Sequence, residues 1–394
     1  MGARSTSGGM PLKATILSLG LYRGSGGPSK SIKAFAEALD ARVISWVDPL
    51  QYRRERLIWA DSAIVRGSRL PVLRQLLVPT SVSDVIAAER VVAESDIVSC
   101  HSFWRWHIPW LHRVAKRHRV PYWFVPHGIL DPYTFESDRL FKRAFLSSCA
   151  RAFLEDAAAV VCSATREYEK LRDIVPHAPP AIIHWPLADD DFRERSPTSR
   201  HECRRALGIP EEAFCLLAFG RLDPMKRPLE TIDAVADGGG ETTHLIVMGN
   251  EFGVSRAACL QRAADRGLAD RVHVVGPKYG EERLPYFDAC DAYISFSHRE
   301  NFNFTAMECL ASGIPVILSA GNDIAGDIAD VGCGWMMPVG GSAADAIEAA
   351  LAAPRESLAE MGAAGRAWAR RHLTVSRFQE QVQALARRCA EGRR

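Results

Sequence analysis

Two glutamates eight residues apart, Glu300 and Glu308 in SHRENFNFTAMECLASGIPVILS, carry the clearest chemical pattern in the chain. Ala292–Ser295 reads as a strand and Thr305–Ala311 as a helix ended by Gly313, which puts Glu300 on the entering loop and Glu308 two turns in. If all the intervening residues were helical, the carboxylates would stand about 12 Å apart along the axis. That suits opposite ends of one extended ligand better than an acid and a base at one bond. The turn Asn301-Phe302-Asn303-Phe304-Thr305 offers backbone N–H groups at the helix start, a site for a diphosphate between those ends. Glu308 can then accept from both hydroxyls of a ribose, as an acidic residue does in dinucleotide folds, and Glu300 from the hydroxyls of a sugar. The plainer alternative, a helix-start charge and a solvated face, sits poorly with the apolar residues around Glu308.

Three further segments carry polar groups at strand ends. In AFGRLDPMKRPLETI a strand ends at Gly220, and a turn bearing Arg221, Asp223-Pro224 and Lys226 leads to a helix near Pro228. Two cations there can neutralise a diphosphate as it leaves, in place of a metal. In YRGSGGPSK the glycines Gly24, Gly26 and Gly27 precede a helix beginning near Ser29, so backbone can approach a ligand closely; a plain tight turn explains them equally well. The segment is neither a P-loop nor a G-x-G-x-x-G fingerprint. In FVPHGILDP, His127 falls at a strand's carboxyl end and can hydrogen-bond a sugar hydroxyl, while Asp131 can hold an acceptor or orient the loop. His101, after Ile97–Cys100, is a weaker candidate of the same kind for the acceptor side.

Other patterns point away from chemistry. Asp189-Asp190-Asp191 looks like a metal cluster but stands in a polar stretch with nothing to fix it, and reads as a solvated charge run. The ten cysteines include no C-x-x-C pair and no zinc spacing, so they read as small core residues in a reducing compartment, and no metal is expected. The opening MGARST and Asn303-Phe304-Thr305 fit loose myristoylation and N-glycosylation patterns that matter only in the right cell and compartment. Residues 103–119, FWRWHIPWLHRVAKRHR, hold five Lys+Arg, no acid and three tryptophans. An interfacial helix has this composition, and so does a half-buried helix with a basic outer face.

Positioning these groups requires a repeated unit of short apolar run, Gly- or Asp-rich turn and longer amphipathic run, the pattern of parallel sheets with crossover helices. Strands are expected at Thr15–Leu19, Val43–Trp46, Ile97–Cys100, Tyr122–Pro126, Val160–Cys162 and Ile182–Trp185, then at Phe214–Phe219, Leu245–Met248, Val272–Val275, Ala292–Ser295 and Val316–Leu318. Between the two sets, ADDDFRERSPTSRHE is almost devoid of apolar residues and reads as an exposed connection. The expected organisation is an N-terminal domain over 1–187, a linker over 188–202 and a C-terminal domain over 203–370. Both domains are doubly wound α/β, with the strands' carboxyl ends facing a shared cleft. From about 356 to 393 the pattern is one long helix, whose end from about 370 can pack back onto the first domain.

Bulk properties agree with this and exclude other classes. A chain of 394 residues, 47% hydrophobic and 24% charged, suits two soluble globular domains. The net charge of +2 divides into +6 for residues 1–190 (25 Lys+Arg, 19 Asp+Glu) and −4 for the rest (24 and 28). That is no nucleic-acid footprint, although a basic first half can favour an anionic membrane surface or acceptor. No run of 18 apolar residues and no secretory signal is visible, so a cytoplasmic location is expected, with peripheral contact at the inner face of the cell membrane as an option.

Taken together, these segments resemble glycosyltransferase family 4, the retaining GT-B enzymes marked by an E-x7-E segment, met here by Glu300 and Glu308. The likeness is strongest over residues 214–340 and extends more loosely through GSGGPSK and PHGILDP, which is similar to the "HGML-P" stretch of members acting in bacterial surface polysaccharide assembly. The resemblance implies diphosphate-binding cations at Arg221 and Lys226, a sugar-binding carboxylate at Glu300 and a ribose-binding one at Glu308. It also implies a glycine loop at Gly27 and a donor-sugar histidine at His127. It further implies no metal, no cofactor and retention of anomeric configuration. A hexose would pass from a UDP- or GDP-sugar to a glycan or lipid-linked acceptor, as in polysaccharide or lipopolysaccharide synthesis.

Two departures stand out: Asn303 replaces the usual Gly, which keeps left-handed backbone available but sends a side chain into the donor site, and His184-Trp185-Pro186-Leu187 replaces the usual proline, asparagine, glycine run at the hinge. Competing readings on the same fold are a nucleotide-sugar epimerase, a phosphorylase or an inactive nucleotide-sugar-binding subunit.

Overall fold

The computed structural model describes residues 12–392 apart from 23–25, 59–61, 136, 137, 173, 175, 176 and 178. The opening MGARST and Gly24 lie outside the described residues. The chain divides into two units: residues through Cys162, Tyr168–Ile183 and Phe378 onward form the first, and Ser163–Glu167 with His184–Arg377 the second.

The first unit is built on seven parallel strands: β1 (Ala14–Leu19), β2 (Arg42–Val47), β3 (Ala63–Arg66), β4 (Ile97–Cys100), β5 (Tyr122–Phe124), β6 (Ala159–Cys162) and β7 (Pro180–Ile182), in the order β3-β2-β1-β4-β5-β6-β7. Helices cover both faces, so the central strands are buried throughout instead of alternating: β4, β5 and β6 are buried at every position. The two central strands, β1 and β4, pair in register Thr15↔Val98 and Ile16↔Ser99. The buried Thr15 hydroxyl is hydrogen-bonded to Ser95 Oγ at 2.8 Å, and the Ser95 hydroxyl donates to the Val91 carbonyl at 2.7 Å.

The second unit has six parallel strands: β8 (Phe214–Phe219), β9 (Thr243–Met248), β10 (Val272–Val275), β11 (Ala292–Ser295), β12 (Val316–Leu318) and β13 (Gly334–Met336), in the order β10-β9-β8-β11-β12-β13. In both sheets the chain winds outward for three strands and then returns to the other side of the first, creating a switch point between β1 and β4 and between β8 and β11. Ligands of doubly wound sheets lie outside the carboxyl ends of the strands at such a point.

Several expectations are corrected. Strands β3 and β13 were not foreseen; they are short and half-exposed, so neither shows a buried run. The last strand of the first sheet is Pro180–Ile182 rather than Ile182–Trp185, with its proline tolerated at the start of an edge strand. The C-terminal segment is two helices, Arg355–His372 and Val375–Glu391, the second capped by Thr374, whose hydroxyl accepts from the Arg377 amide at 3.3 Å. Phe378 then meets Phe35 edge-on at 5.0 Å and Gln383 donates to the Ala38 carbonyl, fixing that helix to the first unit.

Residues 188–202 are not a bare connection. Asp189–Asp191 form a 3-10 turn, and Pro197–Leu207 is a helix whose N-cap Ser196 accepts from the Ser199 amide. Arg193 pairs with Asp288 at 2.7 Å, Arg200 with Asp291 at 2.8 Å, and the fully buried Arg204 with the other oxygen of Asp291. Arg204 also donates to the carbonyls of Ala289, Pro210, Glu211 and Ala213, so its burial is fully compensated. Polar composition signalled exposure; the missing information was which carboxylates the arginines would meet.

The tryptophan-rich segment resolves in favour of a half-buried helix, His107–His118. Ile108, Trp110, Leu111, Val114 and Ala115 are buried, while Lys116 pairs with Asp156 and Arg117 with Glu89 on the outer face. Among the described residues no helix is long and apolar enough to cross a membrane.

Candidate functional site

In the second unit the predicted chemistry gathers at the switch point. The chain leaves β8 at Gly220 and passes through Arg221 to a 3-10 turn, Pro224–Lys226, whose N-cap Asp223 accepts from the Met225 amide at 2.9 Å. This turn folds Lys226 back over the strand end. A Cβ at Gly220 would lie only 3.0 Å from Lys226 Cδ, so the glycine leaves the lysine stem its space. The lysine ammonium then pairs closely with Glu300 Oε1. Arg221 stays half-exposed, 3.3 Å from Asp223 and 4.5 Å from the centre of the Phe252 ring. Arg221 and Lys226, with Gly220, line a small cavity of about 30 Å³ between β8 and β11, roughly one water's space.

Glu300 lies on the loop after β11. Its amide donates to Gly321 and its carbonyl accepts from Asp323, both at 2.8 Å, so the loop is pinned on either side of the residue. The following helix begins at Phe304, with Asn303 as N-cap in the left-handed region at φ 51°. That geometry is the one the Gly-to-Asn exchange was expected to preserve. The side chain does not enter a donor site, however: its Oδ1 accepts from the Ala306 amide at 3.2 Å and its Nδ2 donates to Asn322 Oδ1 at 2.7 Å. Asn322, wholly buried, is tied in turn to Ser295 and Ser319. Phe302 is buried too, its ring 6.4 Å from Trp185 and 6.3 Å from His184, so only its backbone can face a ligand. Phe304 packs edge-on against it at 5.2 Å and Thr305 is half-buried in the first turn. Asn301 keeps a buried Oδ1 with no partner among the described residues.

Glu308 lies within the helix at 3% exposure. Its Oε2 pairs closely with Arg283, which donates from its other nitrogen to Asp191 at 2.7 Å. Desolvation works against the charge on Arg283, but the Glu308 and Asp191 carboxylates outweigh it and raise the guanidinium above its ordinary value. Asp191 is therefore not part of a solvated charge run; it anchors the cation that faces Glu308. Arg283 and Asp191 escaped the sequence reading because they are 25 and 117 residues from Glu308, with no spacing rule to connect them.

In the first unit, the helix after β1 begins at Gly26, earlier than expected, so Gly26 and Gly27 form its first turn. His127 follows β5 in the left-handed region at φ 49°. Its Nε2 is 3.0 Å from His101 Nδ1 and its Nδ1 is 3.4 Å from Ser31 Oγ. His101, 4% exposed, follows β4 and bonds Ser99 Oγ through Nε2 at 2.7 Å. Burial lowers the His127 pKa to about 4, and burial together with the neighbouring His127 pushes that of His101 well below the usual value. Both rings are neutral at pH 7. His101 lies behind His127, and Asp131 accepts from Lys170 Nζ at 2.6 Å while its carbonyl accepts from the Thr134 amide. Asp131 orients the loop, and Lys170 is the partner that sequence spacing did not reveal. A larger cavity, about 770 Å³, opens among His112, Lys116, Tyr122, Pro180 and Arg388 and contains none of the predicted residues.

Residues 199–368 match the family model described as glycosyl transferases group 1, and residues 26–184 the model of a glycosyl transferase 4-like domain. The chain belongs to the family 4 glycosyltransferases, and its two parallel-sheet α/β units are of the GT-B type. It is 30% identical over 184 residues to a D-inositol 3-phosphate glycosyltransferase of Stackebrandtia nassauensis, covering 44% of this chain and 41% of that protein. It is 27% identical over 260 residues to the protein of that name in Streptomyces avermitilis, covering 61% and 54%. The chain thus spans about half the length of these relatives. Among solved structures it is similar to HepE of Anabaena in complex with UDP (TM-score 0.75, 18% identity, 95% of this chain and 99% of that one). It is also similar to WaaG, a glycosyltransferase involved in lipopolysaccharide biosynthesis (TM-score 0.64, 16% identity, 94% and 99%). At these identities the two structures show the fold.

Proposed function

We propose that the protein is a retaining, metal-independent glycosyltransferase that moves a hexose-type sugar from a UDP- or GDP-sugar to a glycan or lipid-linked acceptor, in the assembly of a cell-surface polysaccharide or lipopolysaccharide. The observation that carries this reading is the meeting of Lys226 and Glu300 at the switch point of the second unit, with Arg221 on the same turn and Glu308 on the helix that follows. The uridine nucleotide bound to HepE and the pathway named for WaaG support the donor and the setting.

On this reading the diphosphate lies against Lys226, Arg221 and the first turn of the helix beginning at Phe304, where cations and backbone dipole offset its charge without a metal. Glu300, with one oxygen on Lys226, offers the other to sugar hydroxyls, and Glu308 takes the ribose. Base recognition falls to backbone near residues 276–279. As the bond from the anomeric carbon to the diphosphate oxygen breaks, positive charge develops on the sugar and negative charge on the leaving oxygen, where the cations act. The acceptor oxygen bonds to the same face of the anomeric carbon, and its proton passes to the departing diphosphate. No enzyme carboxylate attacks.

The test is a thermal-shift screen of the full chain against UDP-, GDP-, ADP- and dTDP-sugars, followed by transfer assays. A ligand at 100 times its dissociation constant raises stability by about 2.7 kcal/mol. One nucleotide sugar is expected to stand out, and Lys226→Ala and Glu308→Ala are each expected to abolish transfer with the fold intact. No stabilisation by any activated sugar, or full activity in either variant, rejects the assignment.

A further inference from the structure

The hydrogen bonds around His127 have a direction that can be worked out from their ends. Ser99 Oγ, 1% exposed as a residue, has two neighbours: the Trp123 indole, which can only donate to it, and His101 Nε2 at 2.7 Å. The buried Ser99 hydroxyl proton therefore has one acceptor available, His101 Nε2. With Nε2 accepting, a neutral His101 carries its proton on Nδ1 and donates it across 3.0 Å to His127 Nε2. His127 Nε2 is then the bare nitrogen, and the remaining proton sits on Nδ1. At the far end the Ser31 hydroxyl donates to the Pro28 carbonyl at 3.0 Å, which leaves Ser31 Oγ as an acceptor facing His127 Nδ1 at 3.4 Å. Every donor is used in this sense. In the opposite sense the Ser99 hydroxyl is buried with nothing to receive it, at a cost of about 1–3 kcal/mol. Phe35 meets His101 edge-on at 4.9 Å and closes the ring's remaining face with an apolar group.

We propose that Trp123, Ser99 and His101 form a one-way hydrogen-bond chain that holds His127 as the neutral Nδ1–H tautomer, which makes His101 a positioning residue and His127 a donor, not an acceptor, toward a bound ligand. The bond from Nδ1 to Ser31 is long, so an oxygen of a sugar hydroxyl or phosphate competes for that proton on favourable terms. A ligand group that must donate finds no acceptor on the ring. The functional consequence rests on the nucleotide-sugar reading above, whereas the tautomer does not.

Nitrogen-15 long-range correlation spectra of the full chain labelled at histidine, assigned with His101→Gln and His127→Gln, read the tautomers directly. At pH 7.5 both residues are expected to show a protonated Nδ1 and a bare Nε2. An Nε2–H tautomer or an imidazolium at His127 overturns the proposal without any activity measurement. In Ser99→Ala, which removes the source of direction, both rings are expected to average between tautomers and transfer to slow about tenfold, one hydrogen bond's worth; Ser99→Thr is expected to restore both. A single Nδ1–H signature persisting in Ser99→Ala overturns the role of the chain. If the tautomers are as stated but no nucleotide sugar binds, the functional reading fails and the hydrogen-bond chain stands.

Discussion

Replacing Arg283 by methionine isolates the part of the site that the sequence concealed. The Glu308 side chain is 4% exposed and that of Arg283 16%, so the pair is close to fully desolvated. Removing one partner of such a pair costs about 3–5 kcal/mol, because the other charge stays buried. Asp191, the second carboxylate on Arg283, is 13% exposed and better able to hydrate, which places the expected loss near the lower end, about 3 kcal/mol. A unit of this size loses roughly 2–4 °C in Tm per kcal/mol, so its transition is expected to fall by about 6–12 °C. Glu308→Gln in the same background removes the buried charge that has lost Arg283 and is expected to recover about 2 kcal/mol of that loss. Differential scanning calorimetry of the wild type, the two single variants and the double variant closes the cycle. Additivity of the two substitutions would refute the reasoning, since it would mean that Glu308 does not depend on Arg283 for its charge compensation.

Two other outcomes follow from the geometry. Gly249→Ala puts a Cβ 1.7 Å from the Gly220 carbonyl at the carboxyl ends of β8 and β9, so the strands must part where Arg221 and Lys226 are mounted; a stability loss above about 2 kcal/mol with weakened UDP binding is expected, and unchanged calorimetry and titration would contradict it. Burial lowers the pKa of His107 to about 3, and His101 is pushed down as well, against 6.5 for a free imidazole. As the pH falls below 6.5 the unfolded chain takes up protons that the folded one refuses, so stability is complete above that pH and declines, for His107, toward about 3, by about 1.4 kcal/mol per pH unit for each such histidine. Urea titrations of the full chain between pH 7.5 and 5 measure this, and a flat profile counts against neutral, buried rings.

The chain's own pattern was enough for the architecture and for the candidate residues, because both depend on short-range rules. Apolar runs of strand length followed by turn residues mark β1, β4, β8 and β11 whatever they pack against, and groups placed just after such strands arrive at the carboxyl edge by connectivity alone. Glu300, Lys226, Arg221 and His127 became candidates in that way. What those groups touch was decided by packing between segments far apart in sequence. Arg283 reaches Glu308 and Asp191, Lys170 reaches Asp131, Asp288 and Asp291 receive the arginines of a stretch that reads as exposed, and Asn303 turns inward to Asn322. A charged side chain carries no local sign of its partner: the energy that selects the pairing comes from desolvation, which exists only once the surrounding core has closed.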